Sequence, residues 1–107
     1  MKEIGLIGFG RFGKLIVKFL SKDFNIRIYD KNLSQDDLRE WKLVNIKKID
    51  AVNITISPIE EICSCGIILL SVPISSIESV VKKIKGKVFP NTLIVDFCSV
   101  KKYPLSI

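Results

Sequence analysis

Residues Gly8, Phe9, Gly10, Arg11, Phe12 and Gly13 set three glycines at the spacing Gly-x-Gly-x-x-Gly. Each glycine in such a turn answers a separate steric demand. Gly8 permits a tight turn, Gly10 lets the backbone approach a pyrophosphate, and Gly13 lets a helix lie close to the preceding strand. A phosphate seated there rests on amides at the positive end of a helix dipole, so no side-chain charge is required. Asp30 follows at the separation of about 20 residues at which a carboxylate can grip the hydroxyls of an adenosine ribose and repel a 2′-phosphate. The chemistry these residues point to is dinucleotide binding, with NAD preferred over NADP. Arg11 and Lys31 stand close enough to partner a phosphate, which keeps NADP open.

Such a turn works only between a strand and a helix, and the hydrophobic pattern supplies both. Glu3 to Gly8 is a nearly continuous apolar run, the mark of a strand buried on both faces of a parallel sheet. Phe12, Leu15, Ile16, Phe19 and Leu20 then recur at helical spacing. Asn25 to Asp30 alternates as a second strand. Ser34, with Asp37 three residues on, opens a helix that runs into the region of Trp41 to Val44. Val52 to Ile56 is a short third strand.

Ser57-Pro58-Ile59-Glu60 predicts a brief helix with Ser57 as cap and Pro58 at its first position. Gly66 to Val72 is the next buried strand, stopped by Pro73. Ser75-Ser76-Ile77-Glu78 reads as a second capping box, followed by a core-facing stripe of Ile77, Val80, Val81 and Ile84. Thr92 to Phe97 is a fifth strand. Strands alternating with helices require right-handed crossovers and a parallel sheet. The expected fold is therefore α/β: a Rossmann-type doubly wound sheet in the order 3-2-1-4-5, helices on both faces, with residues 1–107 forming one dinucleotide-binding domain.

Composition narrows the function classes. A chain of 107 residues holds one core. The net charge of +6 comes from 14 Lys and only 3 Arg, scattered along the chain, so nucleic acid is not an expected partner. The longest strongly apolar stretch, Ile67 to Leu70, is far below the roughly 20 residues that cross a bilayer, and no signal peptide is legible. No membrane association and a cytoplasmic location are expected. Cys63, Cys65 and Cys98 have no histidine to complete a metal site, and read as structural thiols.

Two segments, Ile4 to Gly13 and Val95-Asp96-Phe97-Cys98-Ser99-Val100-Lys101, resemble the amino-terminal domain of the prephenate and arogenate dehydrogenases of tyrosine biosynthesis. Leu70-Ser71-Val72-Pro73 resembles the same family. The resemblance implies a cofactor flanked by Ser71, Val72 and Pro73, and hydride transfer to the nicotinamide from prephenate or arogenate with loss of carbon dioxide. It places Ser99 as a catalytic residue beside the nicotinamide and the substrate hydroxyl, and Lys101 on the substrate-side loop. The alternative reading of Ser99 and Lys101, which the resemblance outweighs, is a helix cap and a surface charge.

The family's histidine base and its helical second domain, which completes the substrate pocket and forms a homodimer, are absent from these residues. The chain is therefore expected to bind cofactor without turnover. Two other readings stay open: the cofactor domain of a hydroxyacid dehydrogenase, imine reductase or related oxidoreductase, and a non-enzymatic regulatory module that senses NADH or ATP.

Overall fold

The first apolar run forms β1 (Lys2–Ile7), and the glycine turn leads directly into α1 (Arg11–Leu20). There follow β2 (Phe24–Tyr29), α2 (Gln35–Asn45), β3 (Ile54–Ile56), α3 (Ile59–Cys63) and β4 (Ile67–Leu70). A 3-10 turn at Ile74–Ser76 precedes α4 (Ile77–Ile84), and β5 (Leu93–Asp96) completes the sheet. The computed structural model describes residues 2–46 and 52–97. All pairings are parallel and the strand order is β3-β2-β1-β4-β5, as the alternation of elements predicts. Strand ends fall within about two residues of expectation.

Side chains from the central strands supply a core on each face of the sheet. Ile4 and Leu6 of β1 join Ile26, Ile28, Ile16, Val17 and Leu38 on one face, the side of α1 and α2. Ile7 joins Ile62, Cys63, Ile68, Leu70 and Ile84 on the other, the side of α3 and α4. Burial on both faces is why β1 and β4 read as unbroken apolar runs instead of alternating ones. The five-residue α3 is too short to be stable alone. Arg27 on β2 ties it down: its guanidinium donates to Glu3 at 2.8 Å and to Glu61 at 2.9 Å.

Four local expectations need correction. The α1 stripe is rotated: Gly13, Ile16 and Val17 are buried, while Leu15 is 46% and Phe19 65% exposed. The cause is the close backbone approach at Gly13, which centres the contact there and turns Leu15 and Phe19 outward. Ser57 does not cap α3. Its N–H still bonds the Ile28 carbonyl at 2.8 Å, so the helix starts one residue later, with Pro58 at the cap. The Ser75–Glu78 capping box does not form. Ser76 takes an αR backbone and its N–H bonds the Pro73 carbonyl at 2.8 Å. Within that helix Ile84 is buried but Val81 is 43% exposed.

Candidate functional site

The glycine turn meets the end of β4. Gly8 has φ of +101°, a conformation that side chains with a Cβ resist. A Cβ at Gly8 would collide with the Ser71 carbonyl and meet Val72 Cγ1 at 2.9 Å. One at Gly13 would collide with the Gly8 carbonyl. A Cβ at Gly10 would meet nothing within 4 Å. Two of the glycines therefore let protein pack against protein, while the middle one faces open space. That open space is the cradle a pyrophosphate needs, and a side chain would fill it.

The start of α1 is prepared for an anion. Gly10 offers no capping side chain, the first bond within the helix is Lys14 N–H to the Gly10 carbonyl at 2.9 Å, and no acid occupies the first turn. α2, α3 and α4 each carry acid in that position. Amides without an intrahelical partner, at the positive end of an uncompensated dipole, are an anion seat.

Asp30 stands at the mouth of this turn. One carboxylate oxygen accepts the Phe9 N–H at 2.7 Å and the other accepts the Asn32 N–H at 2.8 Å. The first bond ties the end of β2 to the glycine turn, since Phe9 lies between Gly8 and Gly10. Each oxygen keeps further lone pairs for ribose hydroxyls. Beside it opens a cleft of about 330 Å³ lined by Phe9, Lys14, Asp30, Asn32, Leu33, Asp37 and Trp41. Phe9 and Trp41 meet edge to face at 5.1 Å, and the Lys14 ammonium lies 5.6 Å from the Phe9 ring centre.

The structure thus brings together Gly8, Phe9, Gly13, Asp30, Ser71 and Val72, around an accessible Gly10. Phe12 is half-buried and packs on Phe97 at 5.1 Å. Pro73 is exposed at the cap of the 3-10 turn. Arg11 and Lys31 are exposed and neither lines the cleft at Asp30; Arg11 borders a neighbouring one between α1 and α2. Cys98, Ser99 and Lys101 lie outside the described residues.

Sequence reasoning missed Lys14, Asn32, Leu33 and Trp41 as cleft residues and took Asp37 only as a capping partner. Asp37 and Trp41 are one helical turn apart on α2, a spacing that would have marked a shared face. Cys63 and Cys65 are buried free thiols, and burial pushes both above the ordinary thiol range, which keeps them protonated and unreactive at neutral pH. Among the described residues no group of His, Cys, Asp and Glu could hold a metal ion, and no helix is long and apolar enough to cross a membrane.

The chain resembles several solved structures, dehydrogenases among them. A conserved hypothetical protein from Sinorhizobium meliloti superposes with a TM-score of 0.70 at 16% identity, over 90% of this chain and 32% of that one. Glycerol-3-phosphate dehydrogenase from Saccharomyces cerevisiae gives 0.67 at 14% identity, over 89% and 33%. For 3-hydroxybutyryl-CoA dehydrogenase from Escherichia coli the values are 0.65 and 14%, over 89% and 24%. At such identities the resemblance shows the fold, and the chain spans a third or less of the length of these three proteins. No curated protein sequence matches it. The model of the prephenate dehydrogenase nucleotide-binding domain matches residues 21–106, which is most of the chain and begins beyond the glycine turn. The chain belongs to that family and is an NAD(P)-binding domain of dehydrogenase type.

Proposed function

We propose that this member of the prephenate dehydrogenase nucleotide-binding family binds NAD in preference to NADP, and serves as the cofactor domain of an enzyme that oxidises prephenate or arogenate. The observation that carries the reading is the Asp30 carboxylate bonded to the Phe9 N–H at 2.7 Å, in front of an open Gly10. With Asp30 there, the pyrophosphate rests on the start of α1 while the adenosine ribose turns its hydroxyls to the carboxylate. A phosphate on that ribose would face Asp30 and Asp37 across the cleft, which disfavours NADP.

Bound on these residues, the dinucleotide would supply the hydride acceptor for oxidation of the substrate alcohol. What these residues contribute is orientation: Gly8 and Gly13 fix the turn, α1 holds the phosphates, and Asp30 sets the register of the dinucleotide along the carboxyl edge of the sheet. Ser71 and Val72, packed under Gly8, extend that edge from β4. In this proposal Ser99 and Lys101 act on the substrate side, and a substrate-binding partner region that also dimerises completes the enzyme. The 107 residues contain no histidine, so the base that the family resemblance implies, of a kind worth about 10² to 10⁴ in rate, is not among them. The chain by itself then binds cofactor but does not reduce it with prephenate.

Trp41 is the chain's sole tryptophan and lines the cleft, so its fluorescence reports occupancy. Titration with NAD should quench it at several-fold lower concentration than NADP, with ATP weaker than both. Mixing NAD and prephenate with the chain should give no NADH absorbance. Tighter binding of ATP than of NAD would favour a nucleotide-sensing role instead, and no response to millimolar NAD would end the proposal.

A further inference from the structure

The cleft at Asp30 carries one cation that the reading above does not use. Lys14 lines it from α1, facing Asp37 and Trp41 of α2 and Asn32 of the loop after β2. Lys14 and Trp41 also line the adjoining cleft of about 380 Å³ between α1 and α2, together with Arg11, Leu15, Lys18 and Asn45. Arg11, Lys14 and Lys18 stand at positions i, i+3 and i+7, along one flank of the helix. Among the described residues no salt bridge engages any of them. Three cations without ion partners therefore line a groove that continues from the ribose position.

We propose that Lys14 decides whether a phosphate monoester on the adenosine ribose is accepted, and that the α1 flank behind it is a phosphate subsite which Asp30 holds closed. This inference rests on the dinucleotide reading of the glycine turn. A ribose gripped by Asp30 presents its 2′-oxygen to the cavity that Asp30 and Lys14 share. In that cavity two carboxylates, Asp30 and Asp37, outnumber one ammonium, so a dianionic phosphate is repelled. Neutralising Asp30 leaves Lys14 balanced against Asp37, with Arg11 and Lys18 next along the flank. Lys31, the cation adjacent to Asp30 in sequence, does not border the cavity and plays no part.

The test is a cycle of four full-length chains, namely wild type, Asp30→Asn, Lys14→Gln and the double variant, titrated with NAD and NADP by calorimetry. Asn at position 30 keeps an oxygen for one of the two backbone amides, and circular dichroism checks the fold. Asp30→Asn should weaken NAD about tenfold and tighten NADP about tenfold. Adding Lys14→Gln should remove the NADP gain and move the NADP-to-NAD affinity ratio about tenfold back. The same contrast is expected between 2′,5′-ADP and 5′-AMP, which differ only in the 2′-phosphate. If the NADP gain of Asp30→Asn survives Lys14→Gln in full, the subsite lies elsewhere and the inference is overturned. If wild type binds neither dinucleotide, the reading of the glycine turn fails, and this inference falls with it.

Discussion

Two strand-to-helix corners sit side by side at the carboxyl edge of the sheet, one after β1 and one after β4, and they solve the same geometric problem differently. The corner after β1 uses glycine: Gly8 at φ of +101° and a helix that starts at once, uncapped and without an acid in its first turn. The corner after β4 runs through Ser71, Val72 and Pro73 into a 3-10 turn, whose Ser76 N–H already bonds the Pro73 carbonyl, and Glu78 stands in the first turn of α4. The first corner keeps its amides and dipole available to a ligand. The second closes its own hydrogen bonds and places an acid where an anion would sit. They are also in contact, since the space that a side chain at Gly8 would need is filled by Ser71 and Val72. An anion site thus requires two corners, one left open and one packed beneath it as a wall.

The largest expected effect breaks that contact. Gly8→Ala imposes a strained backbone and drives a Cβ into the Ser71 carbonyl, and together these should cost about 3 kcal/mol or more in unfolding free energy. Denaturant unfolding followed by far-ultraviolet circular dichroism measures it, and a loss below about 1 kcal/mol would mean that the corners are not packed as described. Gly10→Ala separates ligand space from packing space. Its Cβ meets no protein atom, so stability should stay within about 0.5 kcal/mol of wild type while NAD affinity falls at least about tenfold. Unchanged NAD affinity in that variant would place the pyrophosphate somewhere other than the glycine turn.

The open corner was legible in the sequence because its logic is local. Three glycines, a buried strand before them, a helix after them and an acid at the end of the next strand determine the turn whatever surrounds it. The strand order was legible too, since Leu6 and Leu70 lie in runs apolar enough for the middle of a parallel sheet. The packed corner was misread because serine-led capping competes with a 3-10 turn, and a hydrogen bond between Ser76 and Pro73 leaves no mark in residue types. Lys14 and Trp41 escaped notice for a different reason. Whether they share a cleft depends on the rotation of α1, and that rotation is set by how closely Gly13 approaches the Gly8 carbonyl, not by the apolar stripe.

The smallest effect sharpens the comparison at the level of a single hydroxyl. Ser34 and Ser76 both precede a helix, and both look like caps in the sequence. Ser34 is extended, at φ −95° and ψ 161°, and its Oγ accepts the Asp37 N–H at 3.1 Å. Ser76 has φ −100° and ψ −8° and makes no side-chain cap bond. Ser34→Ala should therefore destabilise the domain by about 1 kcal/mol, whereas Ser76→Ala should change it by less than about 0.5 kcal/mol. The pair is read from denaturation midpoints at constant slope, so that a change in the unfolded ensemble is not mistaken for a lost cap. Equal losses at the two serines would mean that α4 is capped after all, and the corner after β4 would then no longer differ from a conventional helix start.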